Sequence, residues 1–213
     1  GGCVEGVVAG ACARTLPDPH WHARLDFARV GFFGWSFGGA TAAEAGVLDP
    51  RVVAVVNLDG WLFGAAAMGA LQKPYLLMYS DYPVPGPKQF NSADPVTRYE
   101  ALMTDHDLHE ARRLTSRADG YGYSIRESYH ENFSDQIYDR RFFKSWLVLD
   151  PNHATAIVNA YLLAFFDKYL DGKREPLLRQ DPPPYSQVEL FNTSPHWRLG
   201  TATAPMQASA GSK

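Results

Sequence analysis

The chain predicts an α/β fold on a mainly parallel sheet, and three observations carry that prediction. Short apolar runs rich in β-branched residues recur along the sequence. Helical patterns fall between them. The first run ends in Gly34-Trp35-Ser36-Phe37-Gly38, just where a small-residue helix pattern begins. Strands alternating with helices imply parallel strands joined by crossovers. At 213 residues, 46% hydrophobic and 13% aromatic, the chain can bury one sizeable core, so a single domain is expected over residues 1–200. Residues 201–213, TATAPMQASAGSK, read as a flexible tail.

The opening, GGCVEGVVAGACARTL, is apolar but has no basic n-region, so it reads as a helix without its beginning rather than a signal peptide. Cys3 and Cys12 fit no metal or redox spacing and read as small, semi-buried residues. Val30 to Trp35 reads as a strand buried on both faces. Phe37 to about Val47 reads as a helix, ended by Leu48-Asp49-Pro50. Val52 to Leu58 is a second buried strand, dominated by β-branched residues. Tyr75 to Tyr79 is a third, entered through Lys73-Pro74. Pro95 to Arg117 is polar with helical spacing and offers Tyr99, Leu102, Met103 and Leu114 as buried positions. Ser124 to Ser128 is a weaker fourth strand after a turn at Asp119-Gly120. Pro151 to Leu170 is the clearest helix. Asp150 suits its N-cap, Pro151 its first position and Gly172 its C-terminal cap. Ile157, Val158, Tyr161, Leu162, Phe165, Phe166, Tyr169 and Leu170 form its apolar face. After Pro182-Pro183-Pro184 the pattern is lost.

Net charge is −3 and no basic stripe is present, which argues against a nucleic-acid partner. No apolar run reaches the roughly 18–20 residues that span a bilayer. His106 and His109 have H-x-x-H spacing on a polar helix, but no third ligand accompanies them, so they read as solvated rather than metal-binding. His20, His22 and His196 fall in polar loops.

A serine between glycines, where a buried strand meets a helix, has the pattern of a nucleophile elbow. Glycines 34 and 38 are expected to remove Cβ atoms that would clash in the sharp turn. Ser36 then sits at a helix N-terminus, where N–H groups favour developing negative charge, and the Phe37 N–H is a natural oxyanion donor. Serine needs a base, and the base needs an orienting acid. Asp59 ends the second strand and Asp81 the third, both at C-terminal strand ends where α/β sites form. The usual order and placement favour Asp81, and a placement one strand earlier favours Asp59. His130, in ESYHENFSD after the fourth strand, is the candidate base. His153 is its rival but falls in the first turn of the long helix, which suits a capping or surface role.

Together GWSFGGAT, NLDGWLFG and YHENFSD resemble the plasma-type (group VII) platelet-activating-factor acetylhydrolases and their microbial relatives. In that family the elbow continues as F-G-G-A-T, the acid lies in L-D-x-W-x-F and the histidine in H-x-N-F-x-D. KPYLLMYSDY is similar to the family's next strand, where a carboxylate or serine ends the strand without being catalytic. The resemblance covers roughly Leu25 to Leu170 and selects Asp59, residue for residue, with Asp81 as the alternative. It implies an α/β-hydrolase fold and a Ser36–His130–Asp59 triad using no metal or cofactor. It also implies small-molecule or lipid ester substrates, phospholipids with short or oxidised acyl chains among them. A general carboxylesterase or polyester hydrolase is the neighbouring reading, because Trp35 stands where the family commonly has histidine. Trp35, Trp61 and Phe63 are placed to line the acyl site. An acyl transferase and an inactive hydrolase-like module are further readings.

Only 35 residues precede Ser36. Four strands and their helices would need roughly 80–120. The expectation is therefore the C-terminal part of a longer hydrolase, from the elbow onward. It lacks the N-terminal strands and the loop bearing a second oxyanion donor. Its first strand becomes an edge, exposed or covered by a second copy or another chain.

Overall fold

The computed structural model describes residues 24–138 and 149–194. The expected N-terminal helix with Cys3 and Cys12, His20, His22, His196 and the tail at 201–213 lie outside the described residues. Five strands form one sheet in the order β1 (Val30–Trp35), β2 (Val52–Leu58), β3 (Tyr75–Tyr79), β4 (Gly120–Ile125) and β5 (Val188–Leu190). The first four are parallel and β5 is antiparallel to β4. The major helices are α1 (Phe37–Leu48), α4 (Pro95–Thr115) and α5 (Pro151–Leu170). Short helices α2 (Gly64–Ala67) and α3 (Pro87–Phe90) lie between β2 and α4. Among the described residues no helix is long and apolar enough to cross a membrane.

The strands alternate their side chains between two cores. Ala54, Val56, Leu58, Leu76 and Met78 point to the α5 face, where Ile157, Tyr161 and Phe165 meet them. Val52, Val55, Tyr75, Leu77 and Tyr79 point to the other face, against Ala42 and Ala43 of α1 and Leu108, Ala111 and Leu114 of α4. α5 starts where the sequence predicts. The Asp150 carboxylate accepts the His153 N–H at 3.0 Å, and Gly172 takes a φ of +68° past the helix end.

Four expectations are corrected. β1 is only partly buried, and Phe33 is 60% exposed, because β1 ends the sheet and its outer edge pairs with no strand among the described residues. The fourth strand is Gly120–Ile125, not Ser124 to Ser128. Its glycines hide the strand pattern, yet the fold needs them. A Cβ on Gly120 would strike the Leu114 carbonyl, and one on Gly122 would lie 2.9 Å from Thr115 Cγ2. On α4 only Leu114 of the four proposed positions is buried. Tyr99, Leu102 and Met103 face outward, because the helix packs through Ala101, Thr104, Asp107, Leu108 and Ala111. Finally, the stretch after Pro184 contains β5, a strand of three residues and thus too short to show alternation.

Candidate active site

β1 and β2 end side by side, with Trp35 opposite Leu58. The Ser36 N–H still donates to the Leu58 carbonyl, at 2.8 Å, before the chain turns into α1. Ser36 itself is forced to φ 57° and ψ −125°, a region L-residues rarely occupy. The crowding behind this turn falls on Gly34 and Gly39 rather than on Gly34 and Gly38. A Cβ on Gly34 would run into the Gly38 backbone, and one on Gly39 into the Asn57 side chain. One on Gly38 would meet nothing within 4 Å. Phe37 is the first residue of α1, so its N–H has no intrahelical partner.

Asp59 repeats this arrangement one strand over. Its N–H donates to the Met78 carbonyl at 2.8 Å, and its φ is 54°. Asn57, fully buried, holds the turn. Its Oδ1 accepts the Gly60 N–H at 2.9 Å, and its Nδ2 donates to the Gly60 carbonyl at 2.8 Å. Gly60 is packed against the Ser36 carbonyl, which leaves no room for a Cβ. The Asp59 carboxylate is fixed from two sides. Oδ1 accepts the Ser80 N–H and Oδ2 the Ser80 hydroxyl, each at 2.8 Å. Oδ2 also lies 2.7 Å from His130 Nδ1.

His130 opens a short 3₁₀ turn, His130–Phe133. Its loop is tied down at several points. Glu127, at φ 62°, donates its N–H to Asp81 Oδ2 at 3.0 Å and accepts the Leu149 N–H at 2.9 Å. The Tyr129 N–H donates to Asn132 Oδ1 at 2.7 Å. The carboxylate bonded to the imidazole is thus that of Asp59, while Asp81 latches the loop that carries the imidazole. The Asp59 hydrogen bond is the main cause that raises the His130 pKa above its ordinary value; burial works against it.

Ser36, Asp59 and His130 line one cavity of about 520 Å³, together with Phe37, Trp61 and Phe63. The Phe37 and Phe63 rings lie 5.6 Å apart at its mouth. No hydrogen bond joins Ser36 Oγ to His130 among the described residues; such bonds are often long until substrate is bound. Trp35 departs from expectation. It points away from the cavity, because the pleat turns its side chain to the α5 face. There its ring lies 4.8 Å from the His130 ring, and its Nε1–H donates to the His130 carbonyl at 2.9 Å. His153 lies in the first turn of α5, is exposed and lies 3.1 Å from Gln187 Oε1 through Nε2. His106 and His109 are exposed on α4.

Sequence reasoning missed the parts played by Ser80 and Asn57. A lone asparagine in the run VVAVVNL was the available signal, since a buried amide needs a built-in partner. For Ser80 the signal was fainter, a small hydroxyl residue one position past the end of a strand.

A family model described as platelet-activating factor acetylhydrolase, isoform II, matches residues 19–181. The platelet-activating factor acetylhydrolase of Gallus gallus is 27% identical over 164 residues, covering 73% of this chain and 35% of its own length. That of Cavia porcellus is 26% identical over 153 residues, covering 68% and 31%. The chain thus spans about a third of the length of these curated relatives. A solved ferulic acid esterase from Streptomyces cinnamoneus superposes with a TM-score of 0.54 at 27% identity, over 78% of this chain and 47% of that one. The sheet order, the flanking helices and this likeness together give an α/β-hydrolase fold. On the extent of the family match, this chain belongs to the platelet-activating factor acetylhydrolase, isoform II, family.

Proposed function

We propose that the chain is a serine ester hydrolase acting on short-chain acyl esters, phospholipids of the platelet-activating-factor type among them. The observation that carries this reading is the 2.7 Å bond between Asp59 and His130, on the wall of the cavity that also holds the strained Ser36. In the proposed reaction Ser36 Oγ attacks the ester carbonyl as His130 takes its proton. Asp59 keeps the Nδ1–H tautomer and favours the imidazolium, and the Phe37 N–H receives part of the oxyanion charge. His130 then protonates the leaving alcohol, and water, deprotonated by the same imidazole, releases the acyl group. Trp61 and Phe63 supply apolar wall for the substrate. The aromatic mouth and the ferulic acid esterase likeness support a second reading, a carboxylesterase of broader acyl range.

A fluorophosphonate probe tests the chemistry. It is expected to label Ser36, located by mass spectrometry, and His130→Ala is expected to suppress labelling by several orders of magnitude. Folded protein that stays unlabelled, or is labelled elsewhere, refutes the assignment. Turnover of p-nitrophenyl acetate set against a short-chain phospholipid then separates the two substrate readings.

The pH profile gives an independent check. The base must be neutral, and the Asp59 bond raises the His130 pKa above its ordinary 6.5. Activity should therefore rise with pH through an apparent pKa above 6.5 and be lost as pH falls through it. Stability from the same pair runs the other way. It is fully present below the unfolded-state pKa and is lost as pH rises through the folded one. A kcat/KM profile whose inflection lies below the ordinary histidine value would contradict this.

A further inference from the structure

The cavity has a second polar pole, away from Ser36. Tyr79 at the end of β3 and Thr104 and Asp107 on α4 contribute to its wall there. Asp107 is buried, and both of its oxygens accept: Oδ1 from the Leu62 N–H at 2.8 Å, Oδ2 from the Tyr79 hydroxyl at 2.7 Å. Burial is the main cause that raises its pKa. Thr104 lies one turn earlier on the same helix face. It is 6% exposed and lines the cavity, and no hydrogen bond from its hydroxyl is found among the described residues, although its oxygen is not one of the fully enclosed unpartnered atoms. The hydroxyl is therefore open to a partner from the cavity side, where Thr104 contributes to the wall.

The two poles lie on opposite sides of the sheet plane. His130 stacks on Trp35, which packs with the α5 core. Tyr79 and Leu108 belong to the α4 core. The leaving oxygen has to lie at His130, which protonates it. The part of the ester that points toward α4 is then the acyl group.

We infer that Thr104 and Asp107 form a subsite for the far end of the acyl group, and that it takes a chain ending in a hydrogen-bond donor, a hydroxyl, over one ending in methyl or carboxylate. The Thr104 oxygen and the unused lone pairs of Asp107 accept from a hydroxyl. A methyl leaves Thr104 unpaired, and a carboxylate meets the Asp107 charge. The inference rests on Ser36 being the nucleophile.

The test compares p-nitrophenyl esters carrying ω-hydroxy, unsubstituted and ω-carboxy acyl chains, from butanoyl to octanoyl, with the acetate ester as reference. Wild-type protein should prefer hydroxyl over methyl in kcat/KM by on the order of tenfold at one chain length, as one added hydrogen bond allows. The carboxylate should be the poorest of the three. Thr104→Val keeps the shape and should bring the hydroxyl-to-methyl ratio near unity, mainly through KM, and Thr104→Ser should restore it. Equal rates at every length, or a preference that survives Thr104→Val, overturn the subsite while acetate turnover keeps the esterase reading standing. Absence of acetate turnover removes the esterase reading and the subsite with it.

Discussion

Ser36→Ala is expected to lower kcat for ester hydrolysis by on the order of 10⁶, the loss seen when the nucleophile of an assembled triad is removed. The size follows from the division of labour. Without Oγ no acyl-enzyme forms, and the remaining site can only bind substrate and favour an oxyanion. The fold should survive, because the Ser36 side chain caps nothing. It makes no cap hydrogen bond at the start of α1, and the turn is held by main chain. Alanine inherits the same positive φ, so thermal unfolding should change little. Ser36→Gly should also be inactive but should melt higher, since glycine tolerates φ 57° without strain. Activity retained in pure Ser36→Ala protein would end the assignment, and an unfolded variant would show that the serine has a structural part.

Asp59→Asn carries the next largest effect, a loss of about 10⁴ in kcat. Asparagine offers Nδ2–H₂ or Oδ1 to His130 but no charge, so it no longer favours the imidazolium and can select the wrong tautomer. It also disturbs the pair of bonds from Ser80, one of which ends on the same oxygen that meets His130. The raised pKa of His130 should fall, since the Asp59 bond is its main cause. Asp81→Asn is the matched control. Its Oδ1 can still accept the Glu127 N–H, so the latch on the loop is weakened rather than removed, and the loss should stay within about tenfold. Rates for the two variants, measured side by side, decide which carboxylate orients the histidine. A larger loss at position 81 would reverse the reading.

Much of the fold was legible because its signals are local. β1, β2, β3 and α5 fall where apolar periodicity, β-branching and capping residues put them. The elements that were misread depend on partners far away in sequence. β4 is built on glycines because Gly122 makes room for Phe191, far along the chain, while Gly120 and Gly122 also admit the nearby end of α4 at Leu114 and Thr115. α4 buries Asp107 through bonds from the Leu62 N–H and the Tyr79 hydroxyl, with Thr104 beside it on the cavity wall, so its buried face is not its most apolar face. The site divides in the same way. Ser36 announces itself through its glycines. Choosing between Asp59 and Asp81 took a family resemblance, because both end strands at the same rim and only the three-dimensional path of the His130 loop separates their parts.

The adjacent endings of β1 and β2 have a consequence for tinkering with the chain. Ser36 and Asp59 are spaced by the ladder between two neighbouring strands, not by the length of chain joining them. The exposed turn at Pro50-Arg51, beyond the core helix α1, therefore does not set that spacing. Residues inserted at that turn, or new termini opened there, should leave the distance between Ser36 and Asp59 unchanged. Deleting a single residue inside Val52–Leu58 is a different matter. Side chains alternate along a strand, so a slip of one position would swing the Asp59 carboxylate to the wrong side of the sheet, and His130 would lose its partner although neither residue had been altered.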